Sequence, residues 1–484
     1  MPLSNRLKNQ HLLWRAAFGP MAENAASLDD ISPGDLWQLL LTTSSKNPEP
    51  LHVAQSMADG LVKGMQDLAK LQQLTADQKK ASRRKSREDL KNLNLLWMEE
   101  MINSESQFRE RMSLFWHGHF ACRNINVFFQ QQLLDIIRTN AFGNFGDLLR
   151  RVSKSPAMLQ FLNNQQNRKK KPNENFAREL MELFTMGSGH YSESDIKEAA
   201  RAFTGWGFNL QGEFLFRANV HDDGVKTFLG KTGYWDGDDI IDLLLEQKET
   251  ALFITRKVYR YFVNEQADEQ TITWLANRFY SSGYDIKKLM DDIFRSDWFY
   301  ADKNIGTRIK SPIDLLTGIR RFLPMELEHD AVQLLFQRAL GQVLFYPPNV
   351  AGWPGGRSWI DSSTLMLRLR IPQILTANEV LNLAPKPDDD VMMGRTNPED
   401  TTTQRKKTYQ IKNASASVDW EAVEIIFDKI PREGLLVNIA DALIQSRTPA
   451  VDGVLLKYIN KGSRQEFIRT AIVYLMSTPE YQLC

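Results

Sequence analysis

Two histidines two positions apart, His117 and His119, follow Phe115-Trp116 and flank Gly118. On a regular helix that spacing rotates the second ring by about 200°, so both reach one metal ion only where the helix ends. The bland reading is that one of them packs or caps among aromatic neighbours. Downstream, Glu174, Arg178 and Glu182 recur at i,i+4 opposite an apolar face of Phe176, Leu180, Leu183 and Phe184. Such a row is a solvated ion-pair ladder worth about 0.2–0.5 kcal/mol per pair. Alternatively, Glu174 and Glu179 point into a polar pocket, with Arg178 orienting a carboxylate or binding an anion. His221-Asp222-Asp223-Gly224 adds a ring nitrogen and two carboxylates on a turn, although Asp and Gly favour turns for conformational reasons too. Asp222 is a poor orienter for His221, because adjacent side chains rarely aim at each other.

Other chemistries lack their signatures. Gly230-Lys231-Thr232 resembles the end of a phosphate-binding loop, but Gly224 lies one residue too early and position 225 is Val. The chain has no Gly-x-Ser-x-Gly elbow and no His-Glu-x-x-His helix. Two cysteines, Cys122 and Cys484, cannot build a disulfide framework or a Cys-rich metal site. Lys and Arg number 60 against 59 Asp and Glu, so the positive excess expected of a nucleic-acid or anionic-membrane binder is missing. The basic runs Arg83-Arg84-Lys85 and Arg168-Lys169-Lys170-Lys171 lack interleaved aromatics and read as solvated faces.

The elements that must position these residues are helices. Across 484 residues apolar positions recur at helical spacing and alternating runs are scarce, which predicts a mainly α, multi-helix protein with long irregular loops. Ser104 and Gln107 have capping-box spacing before a helix over 108–120, and another helix spans 128–140. Pro172-Asn173 opens a helix running to Met186 with Gly187 just past its end. Ser192 starts the next helix, which stops at Gly205; later helices are expected over 239–246, 249–263, 270–280, 286–294 and 312–322. The main exception is one small β-hairpin near 213–229, its strands 213–216 and 226–229 flanking the turn at His221. Tyr346 to Trp359, crowded with Pro, Gly and Trp, reads as a shaped loop. Ile293 to Tyr300 echoes Tyr474 to Tyr481, each a helix, a serine, then aromatics. Residues 1–384 form the expected main domain, 385–417 a polar excursion or linker, and 418–484 a C-terminal helical subdomain packing on it. No apolar run approaches the roughly 20 residues of a membrane span. The polar N-terminal stretch lacks an export signal, giving a cytoplasmic expectation, or a periplasmic or secreted one for a trimmed form.

Seven ordered segments carry a resemblance: His11 to Gly19, Phe115 to Phe120, Pro172 to Glu179, Phe203 to Trp206, His221-Asp222, Ser311-Pro312 and Pro347 to Trp353. Together they resemble the bacterial family catalogued as domain of unknown function 1800, over nearly the whole chain. The resemblance implies no settled activity. It implies export for many members and a neighbouring partner, the family catalogued as domain of unknown function 1501, which looks like the sulfatase and alkaline-phosphatase superfamily.

The expected centre is therefore one polar pocket. His119, Glu174 and His221 would hold a divalent metal, with Glu179 as an alternative ligand. Glu179, Arg178 and Asp222 form the catalytic set, Arg178 holding an anionic group while the metal activates water. Trp116, Asn175, Trp206 and Trp353 would contact an anionic or carbohydrate-like substrate. The rival expectation is a non-enzymatic binding or assembly protein, in which the same residues form buried hydrogen-bonded networks and the loop around Trp353 and Trp359 anchors a partner.

Overall fold

The computed structural model describes residues 3–25, 27–54, 75–124, 126–209, 211–377, 381–383, 409–411, 414–445 and 455–484. The chain is mainly helical. The elements that frame the motifs begin with α1 (Asn5–Ala16), α2 (Ala76–Asn103), α3 (Gln107–His119) and α4 (Val127–Asn140). Then come α5 (Asn175–Glu179), a π-helical turn over Leu180–Thr185, and α6 (Glu193–Ala202). After them lie α7 (Lys248–Phe262), α8 (Glu269–Ser281), α9 (Ile286–Phe294) and α10 (Pro312–Phe322), and later α11 (Arg432–Leu443) and α12 (Arg464–Met476).

Several helix starts follow from local chemistry. Ser192 and Asp195 close a capping box on α6, and Ser311 and Asp314 do so on α10, where Pro312 sits in the first turn and has no N–H to satisfy. The box expected from Ser104 and Gln107 does not form. Ser104 Oγ accepts from the Ser106 N–H, and the Gln107 amide donates to the Met101 and Ser104 carbonyls, bracing the loop before α3 instead.

The single hairpin expected across 213–229 is replaced by two. β1 (Trp206–Phe208) pairs antiparallel with β2 (Phe214–Phe216), and β3 (Lys226–Phe228) with β4 (Lys231–Gly233). Gly230, at φ 77°, supplies the left-handed backbone that lets β3 turn directly into β4. The remaining sheets are also two-stranded: β5 (Met325–Leu327) with β8 (Ala416–Val418), and β6 (Leu381–Leu383) with β7 (Tyr409–Ile411). Most of the expected polar excursion, residues 385–408 and 412–413, lies outside the described residues.

Two apolar cores hold the helices. One gathers side chains between Leu12 and Tyr300; the other joins Phe18, Trp97 and residues of α10 to the C-terminal helices. Helix α1 lies between them, with residues 9–16 all buried. His11 packs against Phe299 with the rings tilted and 4.5 Å between centroids, and Trp14 meets Tyr481 edge-on at 6.4 Å, so α1 touches both halves of the sequence echo. Each half is a helix end followed by one 3-10 turn, Asp297–Tyr300 after α9 and Glu480–Gln482 after α12. Among the described residues no helix is long and apolar enough to cross a membrane.

Candidate functional site

The two motif histidines leave α3 in different directions, as the rotation argument requires. His117 Nε2 accepts the Phe345 N–H at 3.1 Å, which places its proton on Nδ1 and pins a loop residue held at φ 67°. Trp97, Phe345 and Trp353 surround the ring at centroid distances of 5.1, 5.1 and 5.5 Å. Burial holds its pKa down at about 3. His119 faces the π-helical turn. Its Nε2 donates to the Phe184 carbonyl at 3.3 Å, leaving Nδ1 to accept from Lys257 Nζ at 3.3 Å. Lys257 also donates to the Leu183 carbonyl at 3.0 Å. The π turn closes with an i,i+5 bond from the Met186 N–H to the Met181 carbonyl, and because the helix ends at Thr185 its last carbonyls have no intrahelical partner. His119 and Lys257 take up two of them. Burial, then the neighbouring Lys257 charge, keeps the His119 pKa well below its ordinary value, and burial pushes Lys257 down to about 8.

The carboxylates go elsewhere. Arg178 binds both oxygens of Glu193 at 2.9 and 2.8 Å and reaches Glu174 at 3.4 Å. These side chains are between about a third and two thirds exposed, which is the solvated-ladder reading with Glu193 in place of Glu182. Glu182 instead accepts from Ser188 and Tyr191. Asp222 pairs with Arg201 through Nε at 2.9 Å and Nη2 at 3.0 Å and accepts the Gly224 N–H. The Arg201 hydrogen bond holds the Asp222 pKa below its ordinary value, against a smaller burial effect. Glu193 and Arg201 mark the two ends of α6, so Arg178 and Asp222 are engaged about 12 Å apart along one axis. His221 Nδ1 donates to the Thr204 carbonyl at 2.8 Å, and Thr204 Oγ1 accepts the Asp222 N–H, tying the turn to the end of α6. Glu179 is half-buried; burial and then Glu182 push its carboxyl up.

Among the described residues no three His, Cys, Asp or Glu side chains are grouped to hold a metal ion, so the expected set of His119, Glu174 and His221 does not assemble. The expected aromatic walls are mostly core. Trp116 is fully buried and donates to the Ala141 carbonyl, Trp206 is buried against Phe203 and Phe214, and Trp359 is buried too, which removes it as an exposed anchor. Trp353 is half-buried against His117, and Asn175 donates to the Leu162 carbonyl.

Sequence reasoning missed a buried polar cluster where the first and sixth motif segments meet the C-terminal residues. Arg111 binds Asp314 and the Arg15 and Trp14 carbonyls. Arg308 donates to Asp314 at 3.1 Å and covers the Tyr261 ring at 4.4 Å. Arg15 donates to the Asn304 and Cys484 carbonyls. Lys310 is sandwiched between the Trp14 and Tyr481 rings, 3.6 Å from each centroid, and donates to the Tyr481 carbonyl. Arg368 donates to Gln482 Oε1 and to the Lys310 carbonyl. Burial pushes Arg15 and Arg368 down to about 10 and Lys310 to about 7. Burial would raise the Asp314 carboxyl, but Arg111 and Arg308 outweigh it and hold it at about 2. The available sequence signal was Arg15, a lone charge inside His11-Leu12-Leu13-Trp14-Arg15-Ala16-Ala17-Phe18.

A third feature is superficial. Lys169 N–H donates to the Val220 carbonyl at 2.9 Å, which fixes the Arg168 to Lys171 turn beside the 3-10 turn that follows β2. All four basic residues are exposed and make no ion pair among the described residues. On β2 itself Leu215 and Phe216 are 46% and 43% exposed.

The sequence profile of the family described as Protein of unknown function (DUF1800) matches residues 11–483. No curated protein and no solved structure matches the chain.

Proposed function

Since the chain belongs to the DUF1800 family, whose description leaves its activity unknown, we propose that it works as a non-enzymatic binding or assembly protein. The observation that carries this reading is the exposed basic turn Arg168 to Lys171, which the Lys169–Val220 hydrogen bond fixes beside the segment that follows β2, a strand on which Leu215 and Phe216 are exposed. Four exposed cations that make no ion pair among the described residues, and exposed large apolar side chains on the neighbouring hairpin, fit a surface that carries acidic groups around an apolar contact. The apolar pair supplies buried area and the cations supply steering and register. Metal-assisted hydrolysis lacks comparable support, because His119 and His221 are bound to main-chain carbonyls while Arg178 and Asp222 are taken up in ion pairs with Glu193 and Arg201.

The partner to test first is a protein of the family catalogued as domain of unknown function 1501, which the sequence resemblance sets beside this one. Sedimentation of the two purified proteins should give a complex that weakens with added salt and is lost in Leu215→Asp and in Lys169→Glu/Lys170→Glu. No complex at micromolar concentration and low salt, or one indifferent to these substitutions, contradicts the proposal.

A further inference from the structure

Glu326 lies on β5 and Glu328 just past its end, and the register of the β5–β8 ladder sets Ser417 opposite Glu326. One pair further on, the Glu328 N–H donates to the Ser415 carbonyl at 3.2 Å. Opposite residues of an antiparallel pair share a face and neighbours along a strand alternate, so these four side chains stand on one face of the ladder. The other face carries Met325, Leu327 and Val418, which pack on the second apolar core.

The polar face is also where there is room. A depression of about 290 Å³ is lined by residues 326–328 and 415–417, so all four polar side chains border one space. Glu326, Glu328 and Ser417 are exposed, and neither carboxylate makes an ion pair among the described residues. Ser415 differs from them. It is only 6% exposed, and its Oγ is buried without a hydrogen-bond partner. A buried hydroxyl ordinarily finds a partner, and the ladder turns this one toward the depression rather than toward the core.

The donors are all oxygens, two carboxylates and two hydroxyls, with no cation among the residues that line the space. Two like charges about 7 Å apart along a strand repel each other and any anion. Oxygen donors without nitrogen or sulfur suit a hard divalent cation. A site open to water suits calcium, which takes about six to eight oxygens in flexible geometry, better than magnesium, which demands a compact octahedron. With two carboxylates and no histidine, this arrangement is distinct from the His119, Glu174 and His221 set that does not assemble.

We infer that this face is a calcium site, in which Glu326 and Glu328 supply the charge, Ser415 and Ser417 supply neutral oxygens, and water completes the shell. The bound ion clamps β5, which follows α10, to β8, which leads into the C-terminal helices. The ladder it reinforces is only three residues long, closed at its far end by the Asp419 N–H on the Pro324 carbonyl at 2.9 Å. This inference is independent of the docking face, which lies on other elements.

The test uses the full chain freed of divalent ions on a chelating resin, titrated calorimetrically with calcium chloride and, separately, magnesium chloride. One calcium per chain should bind with a Kd of about 10⁻⁴–10⁻³ M, the range of weak sites, and at least tenfold tighter than magnesium. It should raise Tm and slow amide exchange at Glu328 and Asp419. Glu326→Gln and Glu328→Gln should each weaken binding at least tenfold. Ser415→Ala should weaken it at least threefold while leaving the metal-free Tm unchanged or higher, because the hydroxyl it removes has no partner, and it serves where a carboxylate variant fails to fold. Glu269→Gln, which removes an exposed carboxylate paired with Arg256, should bind calcium as the parent does. Absence of saturable calcium binding at millimolar concentration overturns the inference. So does equal affinity for magnesium, or binding that all three ladder variants leave intact.

Discussion

At the residue scale, His117 and His119 are clamps. Each neutral ring satisfies one distant backbone group, Phe345 N–H for the first and the Phe184 carbonyl for the second. The loop that His117 holds also approaches α3 closely at Gly352, where φ is +81° and an added Cβ would stand 2.4 Å from the Gly118 carbonyl oxygen. Gly352→Ala should therefore cost at least about 2 kcal/mol, combining left-handed strain with a backbone clash. Gly118→Ala meets nothing within 4 Å and should be neutral or gain up to about 1 kcal/mol. Denaturant unfolding of the two variants checks the contrast, and equal losses would contradict it. Asp222→Asn removes the charge from a two-point ion pair with Arg201 and should cost about 1–2 kcal/mol. Hydrogen exchange should then quicken over residues 222–228, and unchanged protection there would show that the pair does not hold the turn.

At the element scale, the helices were legible because their signals are local. Ser192 with Asp195, and Ser311 with Pro312 and Asp314, lie within one turn of the ends they set. The π-helical turn inside the expected 172–186 helix was not legible, because the groups that occupy its carbonyls come from His119 and from Lys257 on α7. The hairpin pairing was misjudged for a similar reason. Phe214 to Phe216 is an acceptable strand for either neighbour, and what decides is Gly205, at φ 85°, whose carbonyl accepts the Arg217 N–H and starts the β1–β2 pairing. The resulting β2 keeps Leu215 half out of the core, so Leu215→Asp should change unfolding free energy by no more than about 0.5 kcal/mol. A larger loss would mean that the side chain serves the fold rather than a partner.

At the scale of the whole molecule, long-range electrostatics join the chain's first helix to its last residues, and no short window of sequence reveals that. Arg15, Asp314 and Cys484 are adjacent only after folding. The same burial sets a pH signature. His11, His117 and His119 all have pKa values pushed well below 6.5 by burial. Below pH 6.5, and for His117 down to about 3, the unfolded chain then binds more protons, so stability falls as pH falls, by up to about 1.4 kcal/mol per unit for each ring. Asp314, held at about 2, adds to the loss below its ordinary 3.8, while the raised Glu110 opposes it. On the alkaline side Lys310 at about 7 and Lys257 at about 8 stay neutral where unfolded lysines, near 10.5, are charged. Stability should accordingly keep rising from pH 4 to about 9, and a calorimetric maximum near pH 6 would contradict this reading of the buried groups. The central claim is that the motif histidines hold the fold rather than a metal. Its most direct test is elemental analysis of the metal-loaded protein alongside unfolding of His119→Ala and His221→Ala. The account predicts no stoichiometric metal that depends on these rings, with a loss of stability in both variants. One equivalent of metal in the parent protein, released in both variants while stability is kept, would contradict it.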